Sequence, residues 1–446
     1  MKFAIVSDTH FGYDGCVLVT ETGGTIGRGP KYGAFRDAVG TDNDYLFLVG
    51  DILDLSVESY EKAYRQGKYF FDWLREDKIV KRTRTESYGP LIYVSGNHDA
   101  DIWHIVQHQR KVINRITSPK RQLPEKYEHS VAGILDVRDG VVGFRLHKTT
   151  DKTTVDPGEN PYGGMFLDSI TNPKTLFYFA YPNVYIILDD GTSILVTHGQ
   201  YLESWWSFAG ELAANVAYDD LGFSGPDAAD MDMEKTVELN YPLNQLACTG
   251  IGQAGILTDI VRDRQKEVYK RNFKTLEKYI NRCLKFVGKK ITRNLLIKII
   301  SHPLFCVGGK YMTHKVKNIR QTRFNPDFPT NPDVQERLRR FYNSSLLEIE
   351  TINRESPQGM RTILPPKRII FGHTHEPVPW ENTTKLTLEL SNPKLPPKLI
   401  LHNMGGWIVE GDLFNGAAVF KYETGKGFWS ELVPKEKWKG ASGIKN

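Results

Sequence analysis

Tyr45-Leu46-Phe47-Leu48-Val49-Gly50-Asp51-Ile52-Leu53-Asp54 sets an unbroken apolar run against a glycine and two carboxylates. A run that is apolar at every position, and not at alternate ones, suits a strand buried on both faces of a sheet. Asp51 then stands at the end of that strand, with a turn behind it. Four more blocks repeat the arrangement. Phe3 to Val6 leads into Asp8-Thr9-His10, and Leu91 to Val94 into Gly96-Asn97-His98-Asp99. Ile194 to Val196 leads into Thr197-His198-Gly199, and Ile369 to Phe371 into Gly372-His373-Thr374-His375. Open α/β sheets place their sites at the edge where strands end. Five such strands ending at one edge would deliver all these side chains into a single crevice.

The delivered groups are carboxylates, imidazoles and one amide. That mixed oxygen and nitrogen set suits Mn, Fe, Zn or Co better than an all-oxygen Ca or Mg cage. Two cations roughly 3.5–4 Å apart repel each other, so a bridging carboxylate is expected between them, and Asp51 is placed for it. Asp8 and His10 are two residues apart, as are His373 and His375; on an extended segment each pair shares one side. Any single block is weak, because a strand-end aspartate is more often a turn or cap residue than a ligand. Five in order, each behind an apolar run, make coincidence improbable. The remaining histidines (His104, His108, His129, His147, His302, His314 and His402) read as ordinary surface or packed imidazoles.

In this order, the five blocks resemble the signature of the calcineurin-like metallophosphoesterase superfamily. The resemblance implies two divalent ions, manganese first, with iron, zinc, cobalt or nickel as alternatives. It implies Asp8, His10, Asp51 and His375 on one ion, and Asp51, Asn97, His198 and His373 on the other. It makes His98 the group that protonates the leaving oxygen or stabilises the transition state, Asp99 the residue that orients His98, and Asp54 a hydrogen-bonding support for a ligand. The implied reaction is in-line attack of a metal-bridging hydroxide on phosphorus, with no covalent intermediate. The implied substrate carries a phosphomonoester, phosphodiester or pyrophosphate. Within the superfamily, the Gly372–His375 block followed by His402-Asn403-Met404-Gly405-Gly406-Trp407 resembles the UDP-diacylglucosamine pyrophosphatase branch. His98 stands where that branch usually has arginine.

At 446 residues, with 40% hydrophobic and 11% aromatic side chains, the chain can build two or three cored domains. Cys16, Cys248, Cys283 and Cys306 show no paired spacing, which suggests reduced thiols. No stretch is apolar for about 18 residues, so no transmembrane helix is expected. The first ligand strand begins at the N-terminus, which leaves no room for a signal peptide. The expected location is cytoplasmic, with peripheral membrane attachment as an option.

The catalytic core reads as split between 1–200 and 365–446. Helical spacing over Tyr60 to Ile79 fits a crossover between the second and third ligand strands. Tyr185 to Leu188 and Ile194 to Val196 flank Asp189-Asp190-Gly191 as a hairpin. Leu386 to Leu390, Leu399 to His402, Trp407 to Val409 and Ala417 to Tyr422 read as strands of a second sheet. Pro393, Pro396 and Pro397 confine the segment between the first two to a loop or edge. The expected fold is therefore α/β, a four-layer α-β-β-α sandwich, interrupted by a large, mainly helical insert over 201–364.

A minimal core of this superfamily does not need that insert. Between Val261 and Ile300 it holds thirteen Lys or Arg against three Asp or Glu, whereas the whole chain is only +5. The basic charge is thus concentrated. Three readings stay open: a solvated helical face, a lid selecting an anionic substrate, or a dock for anionic lipid or nucleic acid. Phe273, Leu276, Ile280, Leu284 and Val287 form an apolar stripe opposite the charges. A helix at Val334 to Thr351 follows. Lys148 to Asn172 reads as a surface loop or a substrate-contacting one. Two alternatives accompany the hydrolase reading: a nuclease holding a phosphate backbone on the insert, and a phosphoesterase-like scaffold that binds protein.

Overall fold

The computed structural model describes residues 1–56, 58–81, 88–138, 143–147, 170, 175–203, 206, 231–251, 278, 282, 331–390, 392–393 and 395–438. The fold is a mixed α/β arrangement of several sheets and few helices. One sheet runs β17 (Gly427–Val433), β16 (Ala417–Glu423), β1 (Lys2–Val6), β4 (Tyr45–Val49), β5 (Tyr88–Val94), β8 (Thr175–Ala180). The other runs β12 (Thr387–Glu389), β13 (Lys398–Asn403), β11 (Arg368–Phe371), β10 (Ser193–Thr197), β9 (Asn183–Ile187), β6 (Gly133–Asp136), β7 (Phe144–Leu146). A hairpin of β2 (Val19–Thr22) and β3 (Thr25–Arg28), and a small sheet of β14 (Val409–Glu410), β15 (Leu413–Phe414) and β18 (Glu436–Lys437), complete the strands.

The apolar runs behave as strands buried on both faces. Residues 3–6 of β1, 46–49 of β4 and all five of β10 are buried. β1, β4, β5 and β8 are mutually parallel, and β10, β11 and β13 form a second parallel group. The two sheets share a core. Phe144 of β7 meets Phe47 of β4 edge to face at 6.2 Å and Tyr178 of β8 at 5.3 Å. Trp380, ahead of β12, meets Phe428 of β17 at 4.3 Å.

Helices α1 (Tyr32–Val39) and α2 (Tyr60–Glu76) flank the first sheet. Ser59 caps α2, its Oγ accepting from Lys62 N at 3.2 Å, and Phe71 packs on Phe177 of β8 at 5.7 Å. The helix stops short of Ile79, and its buried stripe centres on Ala63, Gly67, Phe70 and Leu74, with Tyr60 and Tyr64 at its edge. α3 (Ala100–His108) continues through a wide turn into the short α4 (Asn114–Thr117). Two described helices fall within 201–364: α5 (Met233–Gln245) and α6 (Pro332–Glu355). α6 rests on the second sheet, where Glu348 accepts hydrogen bonds from Tyr185 Oη (2.7 Å) and Asn183 Nδ2 (3.0 Å).

Three expectations need correction. The five ligand strands do not end at one sheet edge: β1, β4 and β5 belong to one sheet, and β10 and β11 to the other. Ala417 to Tyr422 lies in the first sheet, not the second, because β16 pairs antiparallel with β1 and stacks Tyr422 on Phe3 at 5.2 Å. Val409 belongs to the small third sheet, paired with Phe414. The basic tract from Val261 to Ile300 and the loop from Lys148 to Asn172 lie outside the described residues, apart from Ile170, Lys278 and Arg282. No helix among the described residues is long and apolar enough to cross a membrane. Cys16 and Cys248 are free, buried thiols.

Candidate metal centre

Each motif begins where a strand runs out and the backbone turns sharply. Asp8, His10, Asp51, His373 and His375 all take positive φ, between 49° and 67°. Non-glycine residues adopt that region at a cost on the order of 1 kcal/mol, and such strain gathers at functional sites. The pairs Asp8/His10 and His373/His375 therefore do not converge by sharing one side of an extended segment. Left-handed turns aim them instead. The neighbouring glycines are required by close approach: a Cβ on Gly50 would overlap the His198 ring, and one on Gly96 would overlap Asp51 Oδ1.

The side chains meet between the two sheets, around Asp51. Its Oδ2 lies 3.1 Å from His198 Nε2 and 3.7 Å from His10 Nε2. His375 Nε2 is 3.1 Å from Asp8 Oδ1 and 3.3 Å from His10 Nε2. His198 Nε2 is 3.3 Å from Asn97 Oδ1, and the rings of His198 and His373 are 5.2 Å apart. Three groups have ligand atoms close enough to share an ion: Asp8/His10/His375, Asp51/His198/His373 and His10/Asp51/His98. Asp8, His10, Asp51, Asn97, His198, His373 and His375 are all 2% exposed or less.

The charges in this buried cluster act strongly on one another. Burial opposes ionisation of Asp8, Asp51 and Asp54, yet the surrounding imidazoles hold all three below the usual carboxylate range. Burial likewise opposes the charged form of His10, but Asp54, Asp8 and Asp51 raise it to about 10. Asp51 and Asp8 raise His198 to about 9 against its burial, and Asp8 and Glu410 raise His375. The carboxylates demand positive charge, and protons or divalent cations can supply it. Asp51 Oδ2, fully buried, makes no hydrogen bond among the described residues while imidazole nitrogens face it. An orphaned carboxylate oxygen inside a mixed nitrogen and oxygen donor set fits a divalent metal.

Several imidazoles carry a carboxylate on their other side, which fixes ring orientation and raises basicity. Asp54 Oδ2 is 3.1 Å from His10 Nδ1. Glu410 Oε1 is 2.8 Å from His375 Nδ1, and Glu203 Oε2 is 3.2 Å from His373 Nε2. Sequence reasoning missed both glutamates. Glu203 returns to the site because Gly199, at φ 110°, opens a tight turn over Gln200–Leu202. Glu410 arrives on β14. Neither sits behind an apolar run, so no local pattern marks them.

His98 is the least buried imidazole of the motifs, at 6%. Its Nδ1 is 2.7 Å from Ser56 Oγ and 3.2 Å from Asp54 Oδ1. The expectation that Asp99 orients this ring is corrected. Asp99 accepts instead from the backbone N–H of Asp51, Ile52 and Gly96 and from Tyr93 Oη, and so ties two motif loops together. Burial and the nearby Asp51 raise the pKa of Asp99. The ending after the last motif is structural. Asn403 Nδ2 donates to Gly372 O and Thr374 Oγ1 (2.8 and 2.9 Å), and Trp407 N donates to Asp8 O at 2.9 Å.

No curated protein and no solved structure matches the chain. The calcineurin-like phosphoesterase family model matches residues 1–225, just over half of the chain and four of its five motifs. His375 and His373, beyond that match, close the same cluster from the second sheet. The chain belongs to the calcineurin-like phosphoesterase family.

Proposed function

We propose that the protein is a dinuclear metal-dependent hydrolase of a phosphomonoester, phosphodiester or pyrophosphate. The observation that carries this reading is Asp51 Oδ2, buried between imidazoles delivered from both sheets. Asp8, His10, Asp51 and His375 would hold one ion, and Asp51, Asn97, His198 and His373 the other. Two of the close ligand groups support that division. The donor set favours manganese, with iron, zinc, cobalt or nickel as alternatives. When bound, such ions neutralise phosphoryl charge and lower the pKa of water toward neutrality.

The chain's own residues supply the rest. His98 engages Ser56 and Asp54 through Nδ1, which leaves Nε2 as the atom to hand a proton to the leaving oxygen. Asp54 touches both His98 and His10, so one carboxylate aligns the acid with a ligand. We read 1–200 and 365–446 as the core of a four-layer sandwich, with 201–364 as a mainly helical insert, in a cytoplasmic enzyme.

The test is a hydrolysis panel with added manganese. It compares a nitrophenyl monoester, a bis-nitrophenyl diester, a sugar-nucleotide pyrophosphate and single-stranded DNA. Metal-dependent turnover of at least one small ester is expected, abolished by chelation. Activity confined to DNA, with steep salt dependence, would replace this reading with the nuclease one.

A further inference from the structure

The segment after the fourth motif reaches the site from behind. α5 and the wide turn Leu246–Ile251 that continues it pair with α3 in a descending register. Tyr241 Oη meets His104 Nδ1 at 2.7 Å, Gln245 Nε2 donates to Asp101 Oδ1 at 2.6 Å, and Cys248 Sγ lies against Asn97 O and His98 O at 3.3 and 3.4 Å. Partners fall from 104 to 97 while the chain rises from 241 to 248, so the two elements run antiparallel. Pro242 lacks an N–H to give the helix, and the wide turn follows directly; turns of this type recur at functional sites.

The nearer of the two thiol contacts falls on the peptide unit that joins Asn97 to His98, and the other on the unit after it. The carbonyl of Asn97 and the N–H of His98 belong to the same planar amide and point in opposite directions. The N–H donates to Asp51 Oδ1 at 2.8 Å, and the carbonyl faces the Cys248 thiol. This amide is thus clamped between the central carboxylate and a residue 150 positions away in sequence from His98. Rotating it would swing the Asn97 and His98 side chains together. Cys248 is fully buried.

We propose that Cys248 is a positioning residue. Its thiol fixes the Asn97–His98 amide from the side opposite Asp51, so α5 and its turn set the aim of the His98 ring. The inference rests on the reading of His98 as proton donor.

The test compares wild type, C248V, C248S and H98A, all loaded with manganese, on a nitrophenyl phosphate and an alkyl phosphate. The alkyl ester has a poor leaving group and needs the proton. C248V is expected to lower kcat on the alkyl ester by about 10–100-fold, the scale of a small misplacement of a catalytic group. It should change the nitrophenyl ester far less when both proteins are assayed at saturating manganese. C248S keeps a donor and should recover most of the loss. Amide hydrogen exchange gives a second readout: exchange at His98 N–H should quicken in C248V relative to the β4 and β10 amides. C248A replaces C248V if the valine does not fold. Equal losses on both esters, or unchanged His98 exchange, overturn the brace. H98A separates the two failures. If H98A shows the leaving-group dependence and C248V does not, only the brace falls. If H98A shows none, the acid reading falls and this inference with it.

Discussion

Asp51, at the end of β4 in the first sheet, sets Oδ2 3.1 Å from Nε2 of His198, at the end of β10 in the second. This contact joins the two halves of the site. A carboxylate in that place needs positive charge beside it, from protons on the imidazoles or from a cation, because a buried charge without a partner costs several kcal/mol.

Asp51→Asn keeps the shape and removes the bridge. Both ions should be lost or held weakly, with activity down by at least about 10²-fold. Elemental analysis and turnover of a nitrophenyl ester check this. Full metal content in the variant would take Asp51 out of the ligand set.

Glu410→Gln and Glu203→Gln should each weaken metal binding by roughly 10–100-fold, as loss of a carboxylate behind a ligating imidazole does. Glu410 backs His375 and Glu203 backs His373, so the two variants should weaken different ions. Titration with manganese, read as two steps, distinguishes them. Identical curves for the two variants would contradict the division of ligands.

Metal binding should release protons. With His10 raised to about 10 and His198 to about 9, both imidazoles carry protons at neutral pH and must lose them to ligate. Apparent affinity should therefore rise with pH up to about 10, with on the order of two protons released at pH 7 as both ions bind. Calorimetry in buffers of different ionisation enthalpy measures that number. A value of zero would show that the carboxylates do not hold those protons.

His402 should make the fold acid-sensitive. Burial and the Arg368 guanidinium, 3.2 Å from Nε2, depress its pKa to about 4. The unfolded chain then takes up this proton first as pH falls from about 6.5, and stability drops between there and about 4. The full shift corresponds to about 3 kcal/mol. Urea unfolding across that window should show the slope, and His402→Gln should flatten it. An unchanged slope in the variant would assign the effect to other groups.

The apolar runs and the residues behind them were legible in sequence because burial on both faces leaves a continuous pattern, and because a ligand at a strand end sits beside its own strand. β1, β4, β5, β10 and β11 all followed from that. The hairpin of β9 and β10 was equally local. The placement of β16 was not: one of its two partners is β1, more than 400 residues earlier, and apolar content does not say which sheet a strand joins.

Composition and motif order alone determined the chemistry of the donor set, from Asp8 to His375, and the family it resembles. Only the tertiary structure decided that two sheets share the site, that Asp54 and Ser56 rather than Asp99 meet His98, and that Glu203, Glu410 and Cys248 stand behind it. Those partners are brought together by packing across long sequence separations, and a hydrogen bond formed that way leaves no periodic trace along the chain.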